Sequence, residues 1–565
     1  MTEKIIETKI CKQCQAIFNI TDKDLEFYDK ISPIFNDVKY NIPSPTLCPD
    51  CRQQRRLVWR NEKNLYKRKC DATWKNIISI YSPDKNYIVY ESDEWWSDRW
   101  NPLDYWRDFD FSKTFFDQFD ELVKLVPLPH NTLVGCENCD YANIAMNAKN
   151  CYMSASCSYA EDIYYSNRTF YCNNLFDCLR CSNISYSYNC IYCYENCLSC
   201  INCLSCINCK DCSFSFDLQN CDNCIFSYNL KNKKYCINNI QYWKEDYFNE
   251  LKKYETWSQS LFKKYVEIWQ DIIYNKAIHK NINLTNCDNC TWDYLVNSRN
   301  AFNCFEIDRW VEDSKYLWDW TWNTKDCYDI NQSWDSILSY DSFSIIWINS
   351  KFCLYSWWLN NSLYSLLCQK NSNNLFWCIW FNNSSYCILN KQYTKEEYET
   401  LVPRIIEHMK NTWEWWEFFP SSISPFGYNE TVAMEYYPIE KFTPGFNWST
   451  YENPKPDVSK IIPASKLPDN ISDVPDDIIN WAIECEATWK PFRIIKQELD
   501  FYRKHSLPIP RRHPDQRHLD RMNLRNPRKL FNRKCDKCQN EIKTTYSPER
   551  EEIVYCEECY EKEIY

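Results

Sequence analysis

The chain of 565 residues has three glycines, Gly135, Gly427 and Gly445, where ordinary usage of about 7% gives roughly 40. That scarcity removes the Gly-rich loops that cradle phosphates, so no nucleotide-binding fingerprint is present. The six histidines (His130, His279, His408, His505, His513, His518) form no His-Glu-x-x-His motif and no local triad-like arrangement. Long apolar runs are missing, and the opening MTEKIIETKI has no signal-like core. The expectation is a cytoplasmic protein that does not engage a membrane. A net charge of −11 argues against wholesale coating of nucleic acid, though not against local basic patches.

Two residue types are in excess, with 36 Cys and 26 Trp. Many Cys stand as Cys-x-x-Cys, which in a reducing compartment points to metal sites or buried thiols rather than disulfides. An AT-rich genome explains the many Asn, Lys, Ile and Tyr, but neither the 24 Pro nor a residue encoded by UGG. One hypothesis covers both anomalies: the gene uses UGA for Gly, and the sequence renders it as Trp. Trp74 in CDATWK (70–75) and Trp489 in CEATWK (485–490) fill the slot where a metal-binding knuckle turn favours Gly. Trp243 in QYWKEDY matches the N-cap Thr394 of QYTKEEY, and Trp377 and Trp380 fall in a tight repeat. Trp59, Trp95, Trp448 and Trp481 read as genuine.

The cysteines at the ends have structural-zinc spacing. Cys11-x-x-Cys14 and Cys48-x-x-Cys51 lie at the N-terminus, and Cys535-x-x-Cys538 and Cys556-x-x-Cys559 at the C-terminus. Two such pairs joined by a hairpin-length spacer supply four thiolates to one tetrahedral ion, so two structural Zn2+ are expected. The ends are duplicates. Residues from 68 align without gaps to those from 533, and the same offset maps Cys48 to His513 and Arg52, Arg56 and Arg60 to Arg517, Arg521 and Arg525. Further upstream, FNITDKDLEFYDK at 18 matches FRIIKQELDFYRK at 492. Each end is thus a pair of ribbons with one emptied. Cys70, Thr73, Glu91 and Glu94 mark the emptied site near the N-terminus, and Cys485, Thr488, His513 and Gln516 its counterpart. Thr is a poor zinc ligand, so these hairpins are expected to hold by packing alone.

Between the ribbons run basic stretches, with a balance of +7 over 52–69 and +9 over 501–534. Arg52, Arg56, Arg60, Lys63 and Lys67 fall at helical spacing on one face. Such a face can lie along a phosphate backbone; its competing readings are a solvated surface or docking on the acidic remainder of the chain.

In the middle, Cys136, Cys157, Cys178, Cys200 and Cys221 recur every 21 or 22 residues, as do Cys151, Cys172 and Cys193, and Cys181, Cys203 and Cys224. A fixed period in this range indicates stacked turns, and short Tyr, Ile, Phe and Asn runs favour strands. The run Cys197, Cys200, Cys203, Cys206, Cys209, Cys212 has a period of three, which no flat strand places on one face; corners or a metal cluster were the readings left. The block is doubled, since Cys136 to Cys236 and Cys287 to Cys387 span equal distances, each followed by helical segments at 244–255 with 259–274 and at 395–411.

CKQCQAIFNITDKDLEFYDK with LCPDCRQQRR resembles the bacterial zinc-ribbon domains, with their Cys-x-x-Cys, Phe-Tyr and Cys-Pro-x-Cys-Arg landmarks. The whole chain is similar to uncharacterised zinc-ribbon proteins of small-genome, uncultivated bacteria. The resemblance implies zinc at the eight paired Cys, Gly after the CDAT and CEAT motifs, and nothing catalytic.

The expected architecture is multidomain and mainly β, with zinc-ribbon pairs at both termini flanking a Cys-rich parallel β-helix-like solenoid in two units with capping helices. Its parts are ribbons at 1–125, solenoid units at 126–280 and 281–411, a connecting segment and Pro-rich linker at 412–478, and ribbons at 479–565. The expected function is a non-catalytic zinc-binding scaffold that contacts RNA, DNA or ribonucleoprotein through Arg52, Arg56, Arg60, Lys63, Lys67, Arg517, Arg521 and Arg525. The alternatives are a protein–protein platform with purely structural zinc, or a redox or metal-storage protein built on the Cys ladder. No small-molecule substrate is identified.

Overall fold

The computed structural model describes residues 3–564 except 140, 171–172, 176–178, 183–184, 188–197, 201–203, 255–257, 308 and 455–457. The chain is mainly β and divides into two compact units, each discontinuous in sequence. The first joins Met1–His130 to Ile282–Tyr451, and the second joins Asn131–Asn281 to Glu452–Tyr565. Each unit thus takes one terminal Cys module and one half of the Cys-rich middle. The sequence reading kept these segments apart, because nothing local marks a partner hundreds of residues away.

The middle halves are built from parallel ladders. In the second unit Asn143 pairs with Ala155, Ala155 with Asn167, and Asn167 with Leu179, an advance of twelve residues each time. In the first unit the advance varies between eleven and thirteen: Phe343 pairs with Leu354, Tyr328 with Tyr340 and Leu359 with Ser372. The turn is therefore about twelve residues, not the 21 or 22 of the Cys spacing.

Backbone angles give the reason. From Asn208 to Asn238 every third residue (Asn208, Asp211, Phe214, Asp217, Asn220 and onward) has a positive φ near 50°. Each such residue turns a corner, and the residue after it points inward: Cys209, Cys212, Ser215, Leu218, Cys221 and Cys224 are all buried. Twelve residues make four corners. The period of three at Cys209 and Cys212, the described end of the Cys run, is this corner frame, and 21 residues is seven corners, which again returns an inward position. Asn and Asp tolerate the left-handed conformation best. They also stack across turns: the Asn138 amide donates to Asn150 at 3.0 Å, Asn150 to Asp162 at 2.9 Å and Asn220 to Asn232 at 3.2 Å. The side chains from Cys172 to Cys206 lie outside the described residues.

The interior mixes Cys, Ser and Ala with larger apolar side chains such as Leu218, Leu317 and Ile330, and the thiols there bond to backbone. Cys212 donates to the carbonyl of Lys210 at 3.3 Å and Cys327 to that of Lys325 at 3.2 Å, as Ser154 does to Tyr152 at 3.0 Å. Burial raises the Cys327 and Cys353 thiols to about 12. At these two positions the thiols stay protonated and act as small hydrophobes.

Helices follow each ladder as expected, at Lys244–Leu251 and Gln259–Asp271 in the second unit and Lys395–Asn411 in the first. Thr394 closes a capping box with Glu397, whereas Trp243, in the same N-cap position, makes no cap bond and lies 85% exposed. The Pro-rich stretch read as a linker is packed from residue 460 onward. Lys460–Pro463 forms a strand along Trp481–Glu484, and Ile462, Leu467, Val474 and Ile478 enter the core. Its prolines drew the reading away from these apolar residues.

Candidate metal centres

Each terminal module holds two antiparallel hairpins, and a knuckle turn begins the same way in all four. The amide of Cys11 bonds Ala16 O at 2.9 Å, that of Cys70 bonds Lys75 O at 2.9 Å, that of Cys485 bonds Lys490 O at 3.1 Å, and that of Cys535 bonds Asn540 O at 2.9 Å. The fifth knuckle residue is left-handed in every case: Gln15 at 63°, Trp74 at 61°, Trp489 at 61° and Gln539 at 62°.

In two modules the thiols converge. The sulfurs of Cys11, Cys14, Cys48 and Cys51 lie within 4.8 Å of one another, as do those of Cys535, Cys538, Cys556 and Cys559. Cys14 Sγ is 3.6 Å from Cys48 Sγ, and Cys538 Sγ is 3.8 Å from Cys556 Sγ. A tetrahedral ion with metal–sulfur bonds of about 2.3 Å spaces its sulfurs by roughly 3.8 Å, so the donor sets fit such an ion. In each quartet the second Cys pair sits at a helix start, where backbone N–H groups and the dipole favour thiolate. Cys48 is the N-cap of Pro49–Leu57, and Cys556 precedes Glu557–Ile564. The hydrogen bond from Cys51 lowers the Cys48 thiol to about 5 despite burial. At Cys535, burial raises the thiol but backbone N–H groups of Cys538, Cys556 and Lys537 outweigh it, bringing it to about 6. Among the described residues no other Cys, His, Asp or Glu group gathers this tightly.

The emptied hairpins keep the geometry without the ligands. Glu91 N–H still bonds Cys70 Sγ at 3.3 Å, matching Cys556 N–H to Cys535 Sγ at 3.3 Å. Glu91 pairs instead with Lys75 at 2.9 Å and Glu94 with Arg99, while His513 Nδ1 accepts the Asp515 amide at 3.1 Å. These positions are spent on protein partners.

The basic residues correct the sequence reading. The helix ends at Leu57, so Arg60, Lys63 and Lys67 do not continue its face. Arg52, Arg56 and Arg60 are 2%, 0% and 0% exposed. Arg52 pairs with Asp329 at 2.8 Å, Arg56 with Asp341 at 2.6 Å and with the Asn331 amide oxygen at 2.9 Å, and Arg60 with Asp319 at 2.8 Å. Arg55 joins them, reaching Asp341 at 2.9 Å and Glu417 at 2.8 Å. Lys63 pairs with Glu435 at 2.7 Å, and Lys67 is exposed on the strand Tyr66–Lys69. In the second unit Arg517, Arg521 and Arg525 are buried as well, Arg517 lying over the Tyr165 ring and 3.5 Å from Glu498. Buried guanidinium groups cannot meet a phosphate backbone. They join the module to the ladder within each unit, which is the docking reading the spacing left open. The aspartates were the missed partners; Asp319, Asp329 and Asp341 stand at positive-φ corners, a frame not visible before the turn length was known.

No helix is long and apolar enough to cross a membrane among the described residues. No known family model matches the chain, and no curated protein sequence does. A Desulfovibrio desulfuricans G20 protein named as a candidate acetyltransferase aligns at 7% identity over 47% of this chain and 69% of its own, with a TM-score of 0.08, which carries no argument about fold or activity.

Proposed function

We propose that the protein is a non-catalytic scaffold in which two structural Zn2+ ions clamp the terminal hairpins as zinc ribbons, and in which the ladders are two parallel β-helices closed by capping helices. The observation that carries this reading is the pair of sulfur quartets, with spacings that suit a closed tetrahedral site and leave no position for substrate. Closed thiolate sites of this kind contribute folding energy rather than chemistry. The twelve-residue parallel register supports the β-helix, and the thiol-to-carbonyl bonds of its interior favour a structural lining over redox or metal storage. Flat ladder walls suit a protein partner. With the helix arginines turned inward, contact with RNA or DNA finds no support.

Metal analysis of the purified chain tests the reading. About two zinc per chain fits it, a larger complement implicates the interior thiols, and none ends it. A salt-dependent affinity for RNA or DNA that survives in Lys67→Ala and fails in Arg56→Ala, with that variant shown to stay folded, restores the basic-face reading.

The Trp and Gly anomaly sharpens in the same frame. We infer that Trp74, Trp243, Trp413 and Trp489 are glycines read from UGA. Three are left-handed, all four expose 73% or more of their surface, and Trp413 follows the end of Lys395–Asn411 where Gly is the usual terminator. UGG codons at these positions exclude it.

A further inference from the structure

The strand Ile5–Ile10 is paired on one side only. Its neighbour Ile17–Thr21 runs antiparallel, with Lys9 opposite Phe18 and Ile10 opposite Ile17, and among the described residues no other strand joins this sheet. The duplicated hairpin of the second unit has the same register, with Ile483 opposite Phe492 and Glu484 opposite Pro491. There the corresponding edge is occupied: Lys460–Pro463 lies along Trp481–Glu484. The same hairpin therefore accepts a further strand at this edge, there a parallel one, and among the described residues no strand takes the place in the first unit, where Ser44 bonds the Glu7 and Lys9 side chains.

The open edge is apolar. Ile5, Ile6 and Ile10 are 55%, 49% and 64% exposed, and Ile17 beside Ile10 is 74% exposed. Exposed edges are usually blunted by net charge or Pro. Here Glu7 and Lys9 offset each other at 3.7 Å, and the irregularity between Ile5 and Glu7 lies at one end. The Cys11 amide bonds inward to Ala16. In an antiparallel ladder the bonding alternates, so Lys9 and Glu7 also bond inward, while Thr8 and Ile10 turn their N–H and C=O to the open side.

We propose that this edge pairs with the same strand of a second copy of the chain, antiparallel and centred on Thr8. A two-fold axis at an outward-facing residue places a reciprocal pair of backbone hydrogen bonds there, and Thr8 is the one in mid-strand. That register sets Ile6 opposite the other copy's Ile10, and Glu7 opposite its Lys9, twice over. Ile6-Glu7-Thr8-Lys9-Ile10 is complementary to its own reversal: apolar meets apolar, and each charge meets its opposite. This self-complementarity favours a second copy over an unrelated strand. The joined surface is one strand wide, short of the roughly 1,200–2,000 Å² of stable interfaces, so the association is weak, reversible and concentration-dependent.

Sedimentation of the full-length, metal-loaded chain over a concentration series tests it, with metal content measured on every variant so that a lost hairpin is told apart from a blocked edge. The wild type is expected to move reversibly between monomer and dimer. Thr8→Pro removes an outward N–H at the axis, spares the inward bonds, and is expected to weaken association at least tenfold. Glu7→Lys and Lys9→Glu each oppose like charges at two places. Each alone is expected to weaken association several-fold, at about 0.2–1 kcal/mol per cross-strand pair. Mixed together, the two variants face Lys with Glu at both places and are expected to associate as tightly as wild type. A monomer at every concentration overturns the proposal, as does a dimer that keeps its strength in Thr8→Pro or a mixture no tighter than either variant alone.

Discussion

The two units repeat one design with the Cys quartet moved. In the first, the quartet lies in the leading hairpin and the second hairpin is emptied at Cys70; in the second, the leading hairpin is emptied at Cys485 and the last one is complete. Local geometry is indifferent to this exchange. Asp71 and Asp536 accept the amides of Val89 and Val554, both at 2.7 Å, and Arg68 and Arg533 hold those carboxylates at 3.0 and 3.1 Å. A parallel strand closes each second hairpin, Val89 pairing with Leu128 and Val554 with His279. One Cys quartet per unit is enough because hydrogen bonds and packing against the ladder maintain the other hairpin.

The largest effect expected from breaking this comparison is at the metals. Cys48→Ser should lower bound zinc from two ions to one and release the leading hairpin of the first unit to proteolysis, a loss on the scale of about 10 kcal/mol for structural sites. Cys70→Ser and Cys485→Ser should leave the metal content unchanged; a fall in either shows that the emptied hairpins bind after all. Next comes the arginine docking. Arg56→Ala takes one of two cations from each of Asp329 and Asp341, which keep Arg52 and Arg55, and should destabilise the first unit in denaturant titrations by less than the roughly 3–5 kcal/mol of a fully unpaired buried charge. A change near zero shows that the helix is not held there.

A pH scan separates the units further. Burial lowers His279 to about 4, its Nε2–H donating to Ile273 O at 2.7 Å while Nδ1 accepts from Tyr546 at 2.8 Å. The unfolded chain takes up that proton near pH 6.5 and the folded chain only near 4. The second unit is therefore fully stabilised above pH 6.5 and should lose about 3 kcal/mol as the pH falls through that window. The first unit carries Leu128 at the equivalent place and gains no such sensitivity from it, and His279→Leu should remove this share of the pH dependence, leaving that of His505 and His513, which burial also lowers to about 4. The smallest effect is at the turns, where Trp74→Gly and Trp489→Gly should each add about 1 kcal/mol by removing a side chain from a left-handed residue. Trp59→Gly, in a buried site, should destabilise; a loss at position 74 as well contradicts the turn argument.

Much of this was legible in residue spacing. The paired Cys at either end, the duplication, the Trp243 and Thr394 caps and the helix at 395–411 follow from short-range patterns. What escaped was long-range or depended on an unrecognised frame. A four-cornered turn with a left-handed residue at every corner has no alternating strand signature, so the 21-residue Cys spacing is the period visible in the sequence and the twelve-residue turn is not. Basic residues at helical spacing look the same whether they face water or Asp329 and Asp341. Trp377 and Trp380 do stand at left-handed corners, at 68° and 55°, but both are buried, with Trp377 stacked at 3.6 Å on Phe115. Positive φ is common to Phe, Tyr and Leu corners in these ladders, so there it does not distinguish a misread glycine.

The discontinuity of the first unit bears on how the chain is made. Arg52, Arg56 and Arg60 leave the ribosome well before Asp319, Asp329 and Asp341 are translated. Through that interval the nascent N-terminal module carries its +7 stretch uncovered, and the second unit's ladder is synthesised in between. Chains released early should therefore be sticky toward ribosomal RNA, and a chaperone or a translational pause placed before residue 319 would have the greatest influence on yield.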